Sequence, residues 1–305
     1  MNVLNRAHAY IESRKALVDF VSYVIPSKKI GIQLVSTSTR LQEIPIHTSH
    51  VRRTMSTTLA RPVDPAKLAR VMPGRRFDHL FFSAMALLML ASVFLGFAHT
   101  YYLAGVFHAP LPSRIIHIHG AIFSSWIFLL IAQTSLVATG RTDIHRRLGI
   151  AGFFLACLMV VVGVLAATSA LARSSGPPGL DPKTFYIIPM TDMVIFSVLV
   201  FFAFRARINP AAHKRIILIA TTGLLIAAVA RWPFAMIYRK PLQATLVTYV
   251  FLLLLVAYDW WSTRKVHRAT IWASAFLILV QQVRFPLGQT AAWHAFASWA
   301  QKLAG

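Results

Sequence analysis

Seven apolar stretches, each long enough to cross a lipid bilayer, fill the chain between Phe77 and Gly288. They begin near Phe77, Ser113, Leu148, Phe185, His213, Gln243 and Ala269, and end near Ala104, Thr139, Ala172, Phe204, Phe234, Trp261 and Gly288. A helix rises about 1.5 Å per residue and the hydrocarbon core is about 30 Å thick, so a span needs about 20 apolar residues. Backbone amides inside lipid have no water to bond, which makes the helix the form such runs take. The sequence therefore predicts an all-α, polytopic membrane bundle with seven transmembrane helices.

Composition agrees. Hydrophobic residues make up 57% of the chain and charged residues 13%, with a mean hydropathy of +0.62; a typical globular chain carries about 25% charged residues. In a soluble protein the formal charge of +22 would point to nucleic acid. Here the basic residues stand in short clusters between apolar runs, which is a topological signal and argues against a nucleic-acid partner. Cys157 is the only cysteine, so an intrachain disulfide, a zinc–thiolate cluster and a dithiol redox motif are all excluded. It lies within an apolar run and reads as a buried, inert thiol. The signatures of soluble hydrolases, zinc proteases and P-loop enzymes (GxSxG, HExxH, GxxxxGK[ST]) are not found.

Residues 1–76 read as a disordered basic tail rich in Ser and Thr, in whose first 60 residues Arg6, Arg14, Lys15, Lys28, Lys29, Arg40, Arg52 and Arg53 face only Glu12, Asp19 and Glu43. The tail lacks the apolar stretch of a secretory signal. It imitates an organelle transit peptide in part, but the favoured reading takes Met55 as the true start, leaving a short tail that ends in Arg75 and Arg76. Residues 77–288 form the seven-helix domain. Residues 289–305 repeat Trp293, Phe296 and Trp299 at helical spacing and are expected to lie as an interfacial helix on the outer surface.

Alternate connections differ in basic content. Arg141, Arg146 and Arg147, then Arg205, Arg207, Lys214 and Arg215, then Arg264, Lys265 and Arg268 mark one side. Arg114, then Arg173 and Lys183, then Arg239 and Lys240 mark the other, more sparsely. The positive-inside rule places the N-terminus in the cytoplasm and the C-terminus outside, in a bacterial cytoplasmic (inner) membrane. Tyr101, Tyr102, Tyr186, Trp232, Tyr258, Trp260 and Trp261 are expected in the aromatic belts at the two interfaces.

Ionisable groups within spans are costly and turn toward partners or a water-filled site. Asp192, Arg231 and Arg284, the last with Gln281 and Gln282 beside it, fall in the outer half of their spans, as do His99, His117 and His119. This outer cluster is the leading site candidate, with a purely structural role as the competing account: Asp192 pairs with Arg231 or Arg284, and the histidines satisfy backbone carbonyls. His117 and His119 point about 200° apart on a helix, so one at most faces a given cavity. At the cytoplasmic side lie Asp143, His145 and Arg146 in DIHRRLG, His213 in AAHKR, Asp259, and His267 in KVHR. Interfacial anchoring explains His267; His145 and His213 begin spans and can turn inward. Gly149 and Gly152 allow close helix approach.

The order HIHG at His117–Gly120, HRRLG at His145–Gly149 and HKR at His213–Arg215, followed by Arg231, resembles an uncharacterised family of multi-pass bacterial membrane proteins. The resemblance covers about Phe77 to Phe234. That family is distantly similar in layout to diheme b-type membrane cytochromes, which hold haem between histidines of neighbouring helices. The likeness implies an inner pair, His145 with His213, and an outer pair, His99 with His117 or His119; the fourth span carries Asp192 and no histidine.

Three functions follow as expectations. The first is a redox or metal-binding membrane protein whose histidines ligate haem b or copper, with Arg231 or Arg284 facing haem propionates or a quinone. The second is a proton-coupled transporter of a small anionic or amphipathic substrate, with Asp192 as proton acceptor, arginines as anion clamp, and Pro189 breaking the fourth helix. The third is a non-catalytic assembly factor for a respiratory complex.

Overall fold

In the computed structural model, residues 73–110 and 112–304 are described. The tail up to residue 72, with the proposed start at Met55, falls outside the described residues, while its last four positions already belong to the first helix. Helix α1 (Pro73–Phe97) continues into a π-helical turn (Ala98–Tyr102); α2 (Arg114–Ala138), α3 (Thr142–Ala172) and α4 (Pro182–Arg205) follow. Then come α5 (Pro210–Leu224) with a short helical turn (Ile226–Val229), α6 (Pro241–Thr263), α7 (Arg268–Gly288) and α8 (Ala291–Ala304). Helices α1 to α7, α5 taken together with its following turn to Val229, are long and apolar enough to cross a membrane, so the chain is a multi-pass, all-α membrane protein.

Local sequence sets the helix starts. Proline opens α4, α5 and α6, where its missing N–H costs nothing. The Asp181 carboxylate accepts from the Thr184 N–H at 2.8 Å and Asn209 Oδ1 accepts from the Ala212 N–H at 3.3 Å. His267 Nδ1 accepts from the Ala269 N–H and caps α7.

Around α5 the other six spans form a ring in the order α1, α2, α3, α4, α7, α6. The centre is a continuous apolar core that includes Met89, Met159, Ile195, Phe196, Leu199, Ile219, Leu255 and Leu277, all of them buried. Leu80, Phe154, Leu253 and Leu279 are exposed on the outside of the ring, the surface that a bilayer covers.

The two ends of the bundle are fixed by cross-contacts. Lys214 at the start of α5 pairs with Asp78 at the start of α1, and the Tyr258 hydroxyl near the end of α6 donates to Asp78 at 2.9 Å. This end also bears the α2–α3, α4–α5 and α6–α7 connections and is called the basic face below. At the opposite end, the far face, Arg239 Nη2 donates to the Gly176 carbonyl at 3.1 Å, tying the α5–α6 and α3–α4 connections together.

Several expectations need correction. Helix α3 starts at Thr142 rather than near Leu148, so the HRRLG motif lies inside its first turns. Helix α5 stops at Leu224 and its last turn at Val229, not near Phe234. Pro233 bars residue 232 from the helical region, and Trp232 instead sends its Nε1–H to the Ser92 carbonyl of α1 at 3.1 Å. Gly96 makes that meeting possible: a Cβ there would sit 2.9 Å from Ala228 Cα. Helix α4 runs through Pro189 unbroken. Cys157 is exposed on the lipid-facing side of α3 rather than buried. Tyr186 and Tyr258 are inward rather than in a belt, Tyr258 stacking on Phe81 at 3.9 Å. The C-terminal helix packs on the ends of α3 and α4. Ala297 and Ala300 are buried, Gln301 donates to the Leu171 carbonyl, and Trp293 Nε1 donates to the Lys183 carbonyl at 2.8 Å.

Candidate functional site

Asp192 and Arg284 meet in the interior. Arg284 Nη1 donates to Asp192 Oδ1 at 2.8 Å, and both side chains are almost wholly removed from the surface. Arg284 Nη2 donates to Thr245 Oγ1 of α6 at 3.3 Å, so three helices contribute to one polar knot. The knot is incompletely satisfied. Among the described residues, Arg284 Nε has no hydrogen-bond partner, and neither polar atom of the Gln281 amide has one, although Gln281 is 1% exposed. Burying an amide unpaired costs about 1–3 kcal/mol.

Above the knot is a groove of about 330 Å³, open to the far face and bordered by Arg239, Lys240, Gln243 and Gln289 with apolar walls from Leu180 and Leu242. No acidic side chain borders it. Asp181, the nearest carboxylate in sequence, is held by its capping bond to Thr184 and lies 4.0 Å from His294 Nε2; the capping bond holds its carboxyl below the usual carboxylate range. The groove is also lined by Ile188, Phe285 and Pro241. These lie one helical turn or less from Asp192, Arg284 and Thr245, and the Pro241 carbonyl accepts the Thr245 hydroxyl at 2.8 Å. A cationic mouth thus leads toward a sealed ion pair.

The remaining outer candidates are distributed elsewhere. Arg231 donates to the Ala227 carbonyl and lies over the Phe97 ring at 4.9 Å. His99 stacks on Phe107 at 3.7 Å, His119 on Phe123 at 4.0 Å, and His117 lies beside Tyr101. No hydrogen bond or ring contact joins any two of these histidines, and among the described residues no group of three or more His, Cys, Asp or Glu could hold a metal ion. Asp192 finds Arg284, not Arg231.

On the basic face, His145 of α3 and His213 of α5 do meet. Their ring centres are 6.4 Å apart and nearly perpendicular. His213 Nδ1 is 2.8 Å from the Ala203 carbonyl, and His145 Nδ1 lies 2.6 Å from the Gln133 amide nitrogen when that amide is oriented to satisfy both its ends.

A second buried ion pair was not read from the sequence as a pair. Arg215 Nε and Nη2 both donate to Asp259 Oδ1, at 2.9 and 2.6 Å. Asp259 Oδ2 accepts from the Thr270 hydroxyl at 2.6 Å and from the His267 N–H at 3.0 Å. Unlike the far-face knot, this carboxylate has all its bonds made, and it fastens α5, α6 and the start of α7 together. Asp78 was also missed. Its signal in the sequence was an acidic residue directly after the first span's basic flank, at the level of Lys214.

Comparison of the chain with known protein families, with curated proteins and with solved structures finds no match in any of the three.

Proposed function

We propose that this protein is a proton-coupled carrier of a small anionic or amphipathic substrate, with Asp192 and Arg284 as its coupling centre. The observation that carries this reading is the enclosed Asp192–Arg284 pair beneath a groove bordered by two cations and no acid. Charge balance supplies the mechanism. When Asp192 takes a proton it becomes a neutral acid and no longer offsets Arg284; the substrate anion then takes its place beside the guanidinium. One proton and one anion replace one ion pair, so the interior never holds an uncompensated charge, the state that buried ionic groups must avoid. Thr245 and the Gln281 amide supply further hydrogen bonds to the incoming group. We place the protein in a bacterial cytoplasmic membrane with its basic face inward, on the strength of the Lys and Arg asymmetry.

The test uses proteoliposomes with an imposed pH gradient and permanently ionised probes, radiolabelled benzenesulfonate and inorganic phosphate. Uptake of one probe above protein-free vesicles, lost in Asp192→Asn, is the expected result. Uptake equal to protein-free vesicles for both probes, or unchanged in Asp192→Asn, refutes the reading.

A second reading has its own observation. A metal ion bound between two imidazole nitrogens at about 2.0 Å each sets the ring centres about 6 Å apart, close to the His145–His213 separation. His213, with Nδ1 held by a carbonyl, has the orientation of a metal-binding histidine. A redox role with haem b or copper at this pair is tested by metal analysis and by the Soret band of purified protein after haem supplementation. Absence of iron, copper and Soret absorbance removes it.

A further inference from the structure

The inward stripe of α7 carries polar groups toward both ends and one apolar residue between them. Thr270 serves the basic-face ion pair and Arg284 the far-face pair. Ser274 Oγ and the Gln281 amide, both buried, have no partner among the described residues. Leu277 stands midway, about 10 Å along the helix from each of Thr270 and Arg284. It is 1% exposed. A Cβ placed on Gly223 of α5 would lie 3.5 Å from Leu277 Cδ1 and 3.3 Å from Ile195 Cγ2 of α4. Three helices therefore close on one another at this level through apolar atoms. Phe196 and Leu199 of α4, Ile219 of α5 and Leu255 of α6 are fully buried in the same core. The hydroxyls nearest Gly223 in sequence, Thr221 and Thr222, donate to the Ile217 and Leu218 carbonyls of their own helix. They are not free to relay a proton.

We infer that Leu277, closed against Gly223 and Ile195, is the seal between the two buried ion pairs, so that in this conformation Asp192 exchanges protons with the far face alone. An apolar constriction excludes water, and without a water chain no proton passes. On the far side, the Gln281 amide and Arg284 Nε present donors and an acceptor that no described residue meets, on the helix whose Arg284 bonds to Asp192. On the basic side, Ser274 is followed within one turn by Thr270 and its bond to Asp259. With the seal closed, the exchange is transfer of one proton along water between the far face and Asp192, which accepts it as a carboxylate and releases it as an acid; nothing else is consumed. This inference rests on the reading of Asp192 as the proton-exchanging group.

The test is passive proton flux in proteoliposomes carrying entrapped pyranine, driven by a valinomycin-clamped potassium potential with no anion probe present. Leu277→Asn is expected to raise the flux at least tenfold above wild type, and adding Asp192→Asn to it should return the flux to the wild-type level. Leu253→Asn, on the lipid-facing side of α6, should leave the flux unchanged. Ile195→Thr opens the same contact from α4 and substitutes if Leu277→Asn does not survive purification. A folded seal variant that leaks no more than wild type overturns the inference, as does a leak indifferent to Asp192→Asn or matched by Leu253→Asn. If the leak appears as expected while wild type takes up neither anion probe, the seal stands and the carrier reading fails.

Discussion

Replacing Asp259 by leucine should be among the most destabilising single changes in this protein, and its size can be worked from the contacts. Asp259 is fully buried and accepts four hydrogen bonds, two from Arg215, one from Thr270 and one from the His267 N–H. Removing the carboxylate leaves the Arg215 guanidinium buried without a counter-charge, a loss of about 3–5 kcal/mol. For a domain of this size that corresponds to a fall in Tm of about 6–20 °C. Adding Arg215→Met removes the stranded charge, so the double variant should recover about 1–3 kcal/mol of the loss. It should retain a deficit of about 2 kcal/mol, since the Thr270 hydroxyl and the His267 N–H each lose a bond worth about 1 kcal/mol. The assay is fluorescence-detected size-exclusion chromatography of detergent-solubilised protein after a heating series, on wild type, both single variants and the double. A Tm for Asp259→Leu within about 2 °C of wild type, or a double variant no more stable than that single one, would refute the reasoning; the 2 °C limit is the shift from about 1 kcal/mol.

Four further outcomes are expected. Gln281→Leu removes two unpaired buried polar atoms at nearly constant volume and should raise Tm by several degrees, with the gain offset by weakened anion uptake in the proteoliposome assay. Gly96→Ala forces α1 away from the Ile226–Val229 turn, because its Cβ would lie 2.7 Å from the Ala228 carbonyl carbon; it should lower Tm markedly, whereas Gly105→Ala, with nothing within 4 Å, should not. His267 is held below the ordinary histidine value by burial and by Arg215, so the unfolded chain binds the proton more readily. Stability should fall as pH drops below about 6.5 and level off below the folded-state value; His267→Asn, a capping residue that does not titrate, should flatten that part of a Tm-versus-pH curve. In a Cys157→Ser background, Arg146→Cys and Arg173→Cys should label with an impermeant maleimide from opposite sides of sealed vesicles. Labelling from one side would dissolve the shared depth on which the site reading depends.

Much of the site was legible as residue types at estimated depths. Asp192, Arg284 and Gln281 are polar groups in lipid-length apolar runs, and such groups must turn inward whatever the packing. Which arginine answers Asp192 was not legible, because Arg231 and Arg284 stand at similar estimated depths and differ only in the helices that carry them. Helix α7 packs on α4, while Arg231 follows the turn that meets α1. The groove was invisible for the same reason, being bordered by the α3–α4 connection, the α5–α6 connection and the ends of three helices.

Length, hydropathy and charge spacing by themselves determined seven crossings and helical secondary structure, because lipid offers backbone amides no other partner and the bilayer fixes the length of a span. Only the tertiary structure decided that α5 stands at the centre and ends early, that His145 reaches His213 while the outer histidines stay apart, and that Leu277 closes on Gly223. Those outcomes depend on which helix faces meet, and side-chain contacts across helix pairs set them. The hydropathy of any one helix does not encode them.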